Sequence, residues 1–428
     1  MYGDSGPSPG CPDVGRGQGG GVVVCQNQQR AAIPFRQFVL KAHSRCNLAC
    51  TYCYIYTSPD RSWRDRPPHA PPGTVRQTAR RIAEHVRAHG LDEIRIDLHG
   101  GEPLLTGPGP LLDQAAALRA ELPADCRTHL GVQTNGTLLT PAVLDTLAGA
   151  GFRVGLSLDG GTPGLNRRRV DHAGRASWPA ASRAARLLAG RPGVFAGILC
   201  TVDLTSDPAR VYGSLRALGP PMLDFLLPHA NWTSRPPLPP GPAGPTPYGD
   251  WLCTVFDLWW AEREPAPRVR LFTEIIGLLL GRPSTSEAVG LSPVVALIVD
   301  TDGAIEQVDS LKSAYEGAAA TGLDVFRNSF DEALRHPGMT ARRLGADGLC
   351  DRCRGCALMT VCGGGNYAHR YRAGGSGFRN PSVYCADLER VIRHIAARLD
   401  AEVQVGRSAR PAPAPTGVSV NWRTVNKT

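Results

Sequence analysis

The chain of 428 residues lacks three features that would each assign it to a function class. It has no Lys/Arg-rich block. Its 47 basic residues are almost all arginine and are spread along the sequence, so the net charge of +9 reads as a compositional bias, with weak attraction for an acidic partner as the functional alternative, and no nucleic-acid partner is expected. No uninterrupted apolar stretch reaches the roughly 18 residues of a membrane span, so no membrane partner is expected. The opening MYGDSGPSPG has neither a basic nor an apolar segment of the secretory type. The expectation is a cytoplasmic protein whose 13 cysteines remain reduced and available for metal.

What is present is a cysteine loop, Cys46-Asn-Leu-Ala-Cys50-Thr-Tyr-Cys53. Three thiolates in a CxxxCxxC run are one ligand short for a four-iron cluster, which is normally held by four when it only transfers electrons. The missing ligand points to a substrate or cofactor on the open iron. A zinc site completed by His43 is the competing reading, since structural zinc needs four ligands in a closed site.

At about 150 residues per domain, the length allows two or three domains. Residues 1–31 and 405–428 are rich in Gly, Pro and Ser and read as disordered tails. Between them, residues 32–230 alternate strand and helix. QFVLKA (37–42), IRIDLHGG, LGVQT (130–134), FRVGLSLDG, VFAGILCTV and MLDFLL read as strands, separated by helices such as 74–89, 110–122 and 179–189. This order predicts a parallel sheet with right-handed crossovers, an α/β fold built as a partial (β/α)6 TIM-like barrel. Residues 231–292 read as a Pro-rich linker with bridging helices, its Pro228–Gly249 stretch a linker or a loop over a site. Residues 293–404 carry the second cysteine group.

In β/α barrels the active site lies at the C-terminal strand ends, and each motif here follows a strand. The cysteine loop follows the first and His99-Gly100-Gly101-Glu102-Pro103 the second. Glycines permit close backbone approach and the carboxylate can accept from an ammonium group. Gln133-Thr134-Asn135-Gly136 and Ser157-Leu158-Asp159-Gly160 place small polar side chains at two further strand ends, where turn chemistry is the alternative explanation. Near the C-terminus come Cys350, Cys353, Cys356, Cys362 and, after a gap, Cys385, for which metal is the expected partner and a zinc ribbon the runner-up. Cys200 and Cys253, among the scattered single cysteines, read as core residues. Asp309 closes LIVDTDGAIEQVDSLK (297–312) either as a proton acceptor or as a strand-end hydrogen-bond acceptor.

The CxxxCxxC loop with Tyr52 before its last cysteine resembles that of the radical S-adenosylmethionine (SAM) enzymes. PFRQFVLKAHSRCNLACTYCYIYTSPDRSWRDRP, DLHGGEPLL, VDSLK, CGGGNYAHRYR and NPSVYCADL resemble FxsB-type radical SAM/SPASM peptide maturases, which include three-residue cyclophane-forming enzymes. The resemblance spans roughly residues 34–400. It implies a four-iron cluster on Cys46, Cys50 and Cys53 whose open iron binds SAM, with Tyr52, Gly100, Gly101, Glu102, Asn135 and Ser157 as cofactor contacts. It implies one auxiliary four-iron cluster on Cys353, Cys356, Cys362 and Cys385 in a SPASM-like domain, Cys350 being left as a competing ligand or a nearby thiol. The pattern's next cysteine is replaced by Asn366 and its upstream pair is missing, which argues against a second auxiliary cluster. It further implies Asp309 as general base, a ribosomal precursor peptide as substrate, and an electron donor such as flavodoxin or ferredoxin. The reaction implied joins a side-chain β-carbon to an aromatic ring. Sulfatase-type formylglycine formation, thioether formation and, more distantly, a non-catalytic metal-binding scaffold are the alternatives. Trp422-Arg-Thr near the C-terminus has the shape of a cross-linkable triplet.

Overall fold

The computed structural model describes residues 33–241, 244–262 and 266–408, with side chains to residue 402. Both expected tails, apart from the turn of helix that reaches residue 408, lie outside this range, as do Cys11, Cys25 and the Trp422 triplet.

Six strand–helix units open the described chain: β1 (Gln37–His43), α1 (Pro72–His89), β2 (Glu93–Gly100), α2 (Pro108–Glu121), β3 (Arg127–Thr134), α3 (Pro141–Gly149), β4 (Phe152–Ser157), α4 (Trp178–Ala189), β5 (Phe195–Thr201), α5 (Pro208–Arg216) and β6 (Met222–Leu226), followed by α6 (Pro247–Ala261). Then come β7 (Arg268–Val269), α7 (Arg270–Leu279), β8 (Ala296–Val299), β9 (Ala304–Glu306) and β10 (Ala320–Asp324). Short helices α8 (Phe330–Leu334), α9 (Pro337–Ala341), α10 (Asp351–Arg354) and α11 (Met359–Cys362) lead to the long α12 (Cys385–Ser408).

The strands form one sheet in the order β10-β9-β8-β1-β2-β3-β4-β5-β6-β7, parallel from β8 to β7. The expected six-stranded parallel core is borne out. The sequence reading did not foresee that β8 pairs beside β1, Phe38 opposite Leu297, and brings the β9–β10 antiparallel extension into the same sheet. Asp309 is thereby carried to the β1 edge of the barrel.

Alternation along the strands decides which side chains meet a ligand. Ile94, Ile96 and Leu98 of β2, Val154 and Leu156 of β4, and Ile198 of β5 are buried in the apolar core. The opposite phase, His99, Gln133, Ser157, Leu199, Thr201 and Leu226, lines a cavity at the C-terminal strand ends. Helices α6 and α12 pack together: Gly249 N–H donates to the Asp387 carboxylate at 2.9 Å, and Tyr248 meets Tyr384 edge-on at 5.1 Å. Tyr384 in turn donates to the Pro228 carbonyl at 2.7 Å. The start of α12, with Cys385, is thus tied to the loop after β6.

Candidate active site

The cavity, about 190 Å³, is walled by Cys46, Cys50, Tyr52 and Cys53 on one side and by Gly100, Gly101, Gln133, Asn135, Ser157, Arg169 and His229 on the others. The cysteine loop reaches it because its backbone is joined to the end of β2. Gly101 N–H donates to the His43 carbonyl at 2.9 Å and Glu102 N–H to the Arg45 carbonyl at 3.0 Å. No side chain fits at this junction. A Cβ on Gly100 would lie 2.1 Å from the His43 oxygen, and one on Gly101 would lie 2.3 Å from the Arg45 oxygen.

All three thiols are free. Burial pushes Cys46 up to about 12 and also raises Cys50 and Cys53, so thiolate forms only when a metal displaces the proton. Leu48 N–H and the Asn135 amide point at the Cys46 sulfur, at 3.4 and 3.7 Å. Tyr52 donates to Asp159 and accepts from Arg169 Nη1 at 2.8 Å. Gln133 Nε2 donates to Ser157 at 2.9 Å.

Two buried polar atoms on the lining residues, Arg169 Nε and His99 Nδ1, have no partner. Both atoms are sealed from the cavity itself; it is the side chains of Gln133, Asn135, Ser157 and Arg169 on its wall that suit a polar ligand. Arg169 and His229 carry no signal in the sequence, while Gln133 and His99 open two of the strand-end motifs without a role of their own. For Gln133 and His99 the alternation of β3 and β2 held the signal.

Residues 41–198 match the family model of the Radical SAM superfamily. The solved structure "Native anSMEcpe with bound AdoMet" superposes with a TM-score of 0.74 at 21% identity, over 86% of this chain and 99% of that one. This is the radical SAM fold. The chain is also similar to the serine-type anaerobic sulfatase-maturating enzyme of Klebsiella aerogenes, 27% identical over 81% of this chain and 83% of the relative. The cysteine-type enzyme of Clostridium perfringens is 26% identical over 64% of this chain and 74% of its own length.

Within this radical SAM fold the sequence-predicted residues separate into two sets. Tyr52, Gly100, Gly101, Asn135, Ser157 and the three loop cysteines face the cavity. Glu102 is fully buried beside it, its carboxylate accepting from Thr134 Oγ1 (2.7 Å), Asn135 N–H (2.7 Å) and Leu104 N–H (3.0 Å). In this arrangement it clamps the end of β2 to the end of β3.

Asp309 lies behind the cavity wall in a buried ion network. Its Oδ1 accepts from Lys41 at 2.7 Å, and Lys41 also meets Asp300 (3.3 Å) and Glu306 (3.9 Å). Lys312 meets Glu306 at 2.9 Å. Burial raises the Asp309 carboxyl, but Lys41 and Lys312 outweigh it and hold the group below its ordinary range. The carboxylate charge is felt by Tyr54, His99 and His229 on the cavity wall.

The second cysteine group also gathers. Cys353 is influenced by Cys350, Cys385 and Cys362, and Cys362 by Cys385 and Cys356. Among the described residues no three cysteine sulfurs lie within 4.8 Å of one another, whereas thiolates on one zinc ion sit about 3.8 Å apart. Asn366 caps the following turn by accepting from Ala368 N–H at 3.0 Å, consistent with a position that is not a ligand. Among the described residues, the one convergent three-ligand group is His85, His89 and Asp331. Phe35 N–H donates to His85 Nε2 at 3.0 Å, leaving the ring proton on Nδ1 to bond Asp331 at 2.6 Å, so this group is a hydrogen-bonded latch between α1 and α8.

Among the described residues no helix is long and apolar enough to cross a membrane.

Proposed function

We propose that the chain is a radical SAM peptide maturase that joins a side-chain β-carbon to an aromatic ring of a ribosomal precursor peptide. The observation that carries the reading is the placing of three loop thiols on a cavity that Gln133, Asn135, Ser157 and Arg169 also line, with the Asp309 carboxylate held below its ordinary range nearby. Cys46, Cys50 and Cys53 hold the first cluster, Cys353, Cys356, Cys362 and Cys385 the auxiliary one, and Tyr52, Asn135, Ser157 and Arg169 contact SAM. When bound, these groups supply a carbon-centred radical that takes one hydrogen atom and an acceptor for one electron.

The chain's own task is the remaining proton. Ring closure followed by loss of an electron leaves a strongly acidic ring proton, so a weak base suffices. Among the described residues no donor occupies Asp309 Oδ2, while Lys41 fixes Oδ1; because the carboxylate stands behind the wall, the proton reaches it by way of a wall group such as His99 or Tyr54. Asp309→Asn is expected to keep SAM cleavage while lowering cross-linked product by about 100-fold, the scale of a lost general base. Full cross-linking in that variant, read by mass spectrometry of the peptide, removes Asp309 from the scheme.

The similarity to serine-type and cysteine-type anaerobic sulfatase-maturating enzymes favours a second reading, the sulfatase-type formylglycine formation given above as an alternative, whose product is an aldehyde. A cross-link and an aldehyde made from serine both lose two hydrogens, whereas an aldehyde made from cysteine also exchanges sulfur for oxygen. Only an aldehyde reacts with a hydrazide, and only a cross-link suppresses backbone fragmentation between the joined residues. The peptide with its aromatic triplet, SAM and a flavodoxin, ferredoxin or dithionite reductant are the components of that test.

A further inference from the structure

Arg370 is partly buried and has an unusual set of partners. Its guanidinium donates to three successive glycine carbonyls, Gly363 (2.6 Å), Gly364 (3.1 Å) and Gly365 (2.7 Å), in the turn that follows Cys362. All three glycines have positive φ, 60°, 78° and 69°. A turn of this handedness sends its carbonyls one way and its amides the other.

A cation in such a place ordinarily has a carboxylate. The groups that favour the charge of Arg370 are Cys353, Cys362, Tyr367 and Cys350, none of them a carboxylate. Four thiolates on a four-iron, four-sulfide core carry net negative charge, and each added electron increases it. A fixed cation at this distance therefore stabilises the reduced form more than the oxidised one.

We propose that Arg370 is the built-in counter-charge of the auxiliary cluster and sets its reduction potential, raising it so that an electron from the substrate can enter. This deepens the reading of Cys353, Cys356, Cys362 and Cys385 as ligands and rests on it. Arg370 acts through the cluster as a positioning and tuning residue. Arg352, which bears on Cys385, is exposed and screened by solvent, and serves as the control.

The test is a redox titration of the reconstituted full chain, following by electron paramagnetic resonance the cluster signal that SAM does not alter. Arg370→Gln is expected to retain about eight irons per chain and to lower the one-electron reduction constant of that signal about tenfold, or ~59 mV. Arg370→Lys and Arg352→Gln are expected to stay near the wild type. Should Arg370→Gln lose the cluster, Arg370→Lys decides: retained iron and an unshifted potential support the counter-charge, and lost iron overturns it. An unshifted potential in Arg370→Gln with iron retained overturns the inference while leaving the ligand assignment intact. A wild-type count of about four irons overturns the auxiliary cluster itself.

Discussion

Lys41→Met is expected to lower the unfolding free energy by about 3–5 kcal/mol at pH 7, the usual result of removing one partner from a buried ion network. The Lys41 side chain is only 4% exposed, so solvent screens little of the loss. Methionine fills much the same space, but it leaves Asp300, Glu306 and Asp309 to share Lys312 and the partly exposed Arg66. The pH dependence follows from the direction of each shift. Burial opposes charge on Lys41, but Asp309, Asp300 and Glu306 outweigh it and hold the ammonium well above its ordinary value. Its contribution is therefore complete below the ordinary lysine range and is lost only as pH rises through the higher folded value. Asp300, like Asp309, is held below the carboxyl range by Lys41 and Lys312 despite burial. Their contribution is present above about pH 4 and fades as pH falls through the lower folded values. In Lys41→Met these carboxyls lose a cation and take up protons more readily, so the deficit against wild type should shrink from pH 7 to pH 5. Urea unfolding at the two pH values measures it. A deficit that stays constant or grows would show that the network is not held by charge.

Gly101→Ala is expected to abolish loading of the first cluster. The new Cβ would lie 2.0 Å from the Tyr56 hydroxyl, which can move, and 2.3 Å from the Arg45 carbonyl oxygen, which is backbone. Relief requires parting the β2 end from the cysteine loop, and the two hydrogen bonds joining them would break. Misplacement of a reacting centre by about 1 Å costs on the order of 100-fold in rate, so SAM cleavage should fall at least that far. Iron should drop from about eight to about four per chain, because the C-terminal cysteines are untouched. Full iron and full SAM cleavage would mean that the loop and the GGEP segment move independently.

Much of the barrel was legible because its signals are local. The 2-residue alternation of Ile94, Ile96 and Leu98, and the glycine- or proline-bounded helices between strands, depend only on neighbours in sequence. The cysteine loop and GGEP could be read for the same reason. What was not legible depends on long-range pairing. Lys41 and Asp309 lie 268 residues apart and meet only because β8 pairs with β1. Arg169 sits in a loop after β4 with no pattern of its own, and its partners Tyr52 and Asp159 are fixed by packing. His229 lies in the Pro-rich stretch after β6. It faces the cavity because Tyr54 packs on it edge-on at 4.7 Å and His369 bonds it at 3.2 Å. Pro228 and His229 of that stretch line the cavity. The helices after it pack against α12.

The central claim is that the thiols of Cys46, Cys50 and Cys53 hold the centre at which SAM is cleaved. It is tested most directly by 5′-deoxyadenosine formation from SAM and dithionite, comparing the anaerobically reconstituted chain with its Cys46→Ala/Cys50→Ala/Cys53→Ala variant. Deoxyadenosine is expected from the wild type and none above background from the variant, whose C-terminal cysteines are unchanged and give an internal control of folding through their iron. Equal deoxyadenosine from both would contradict it.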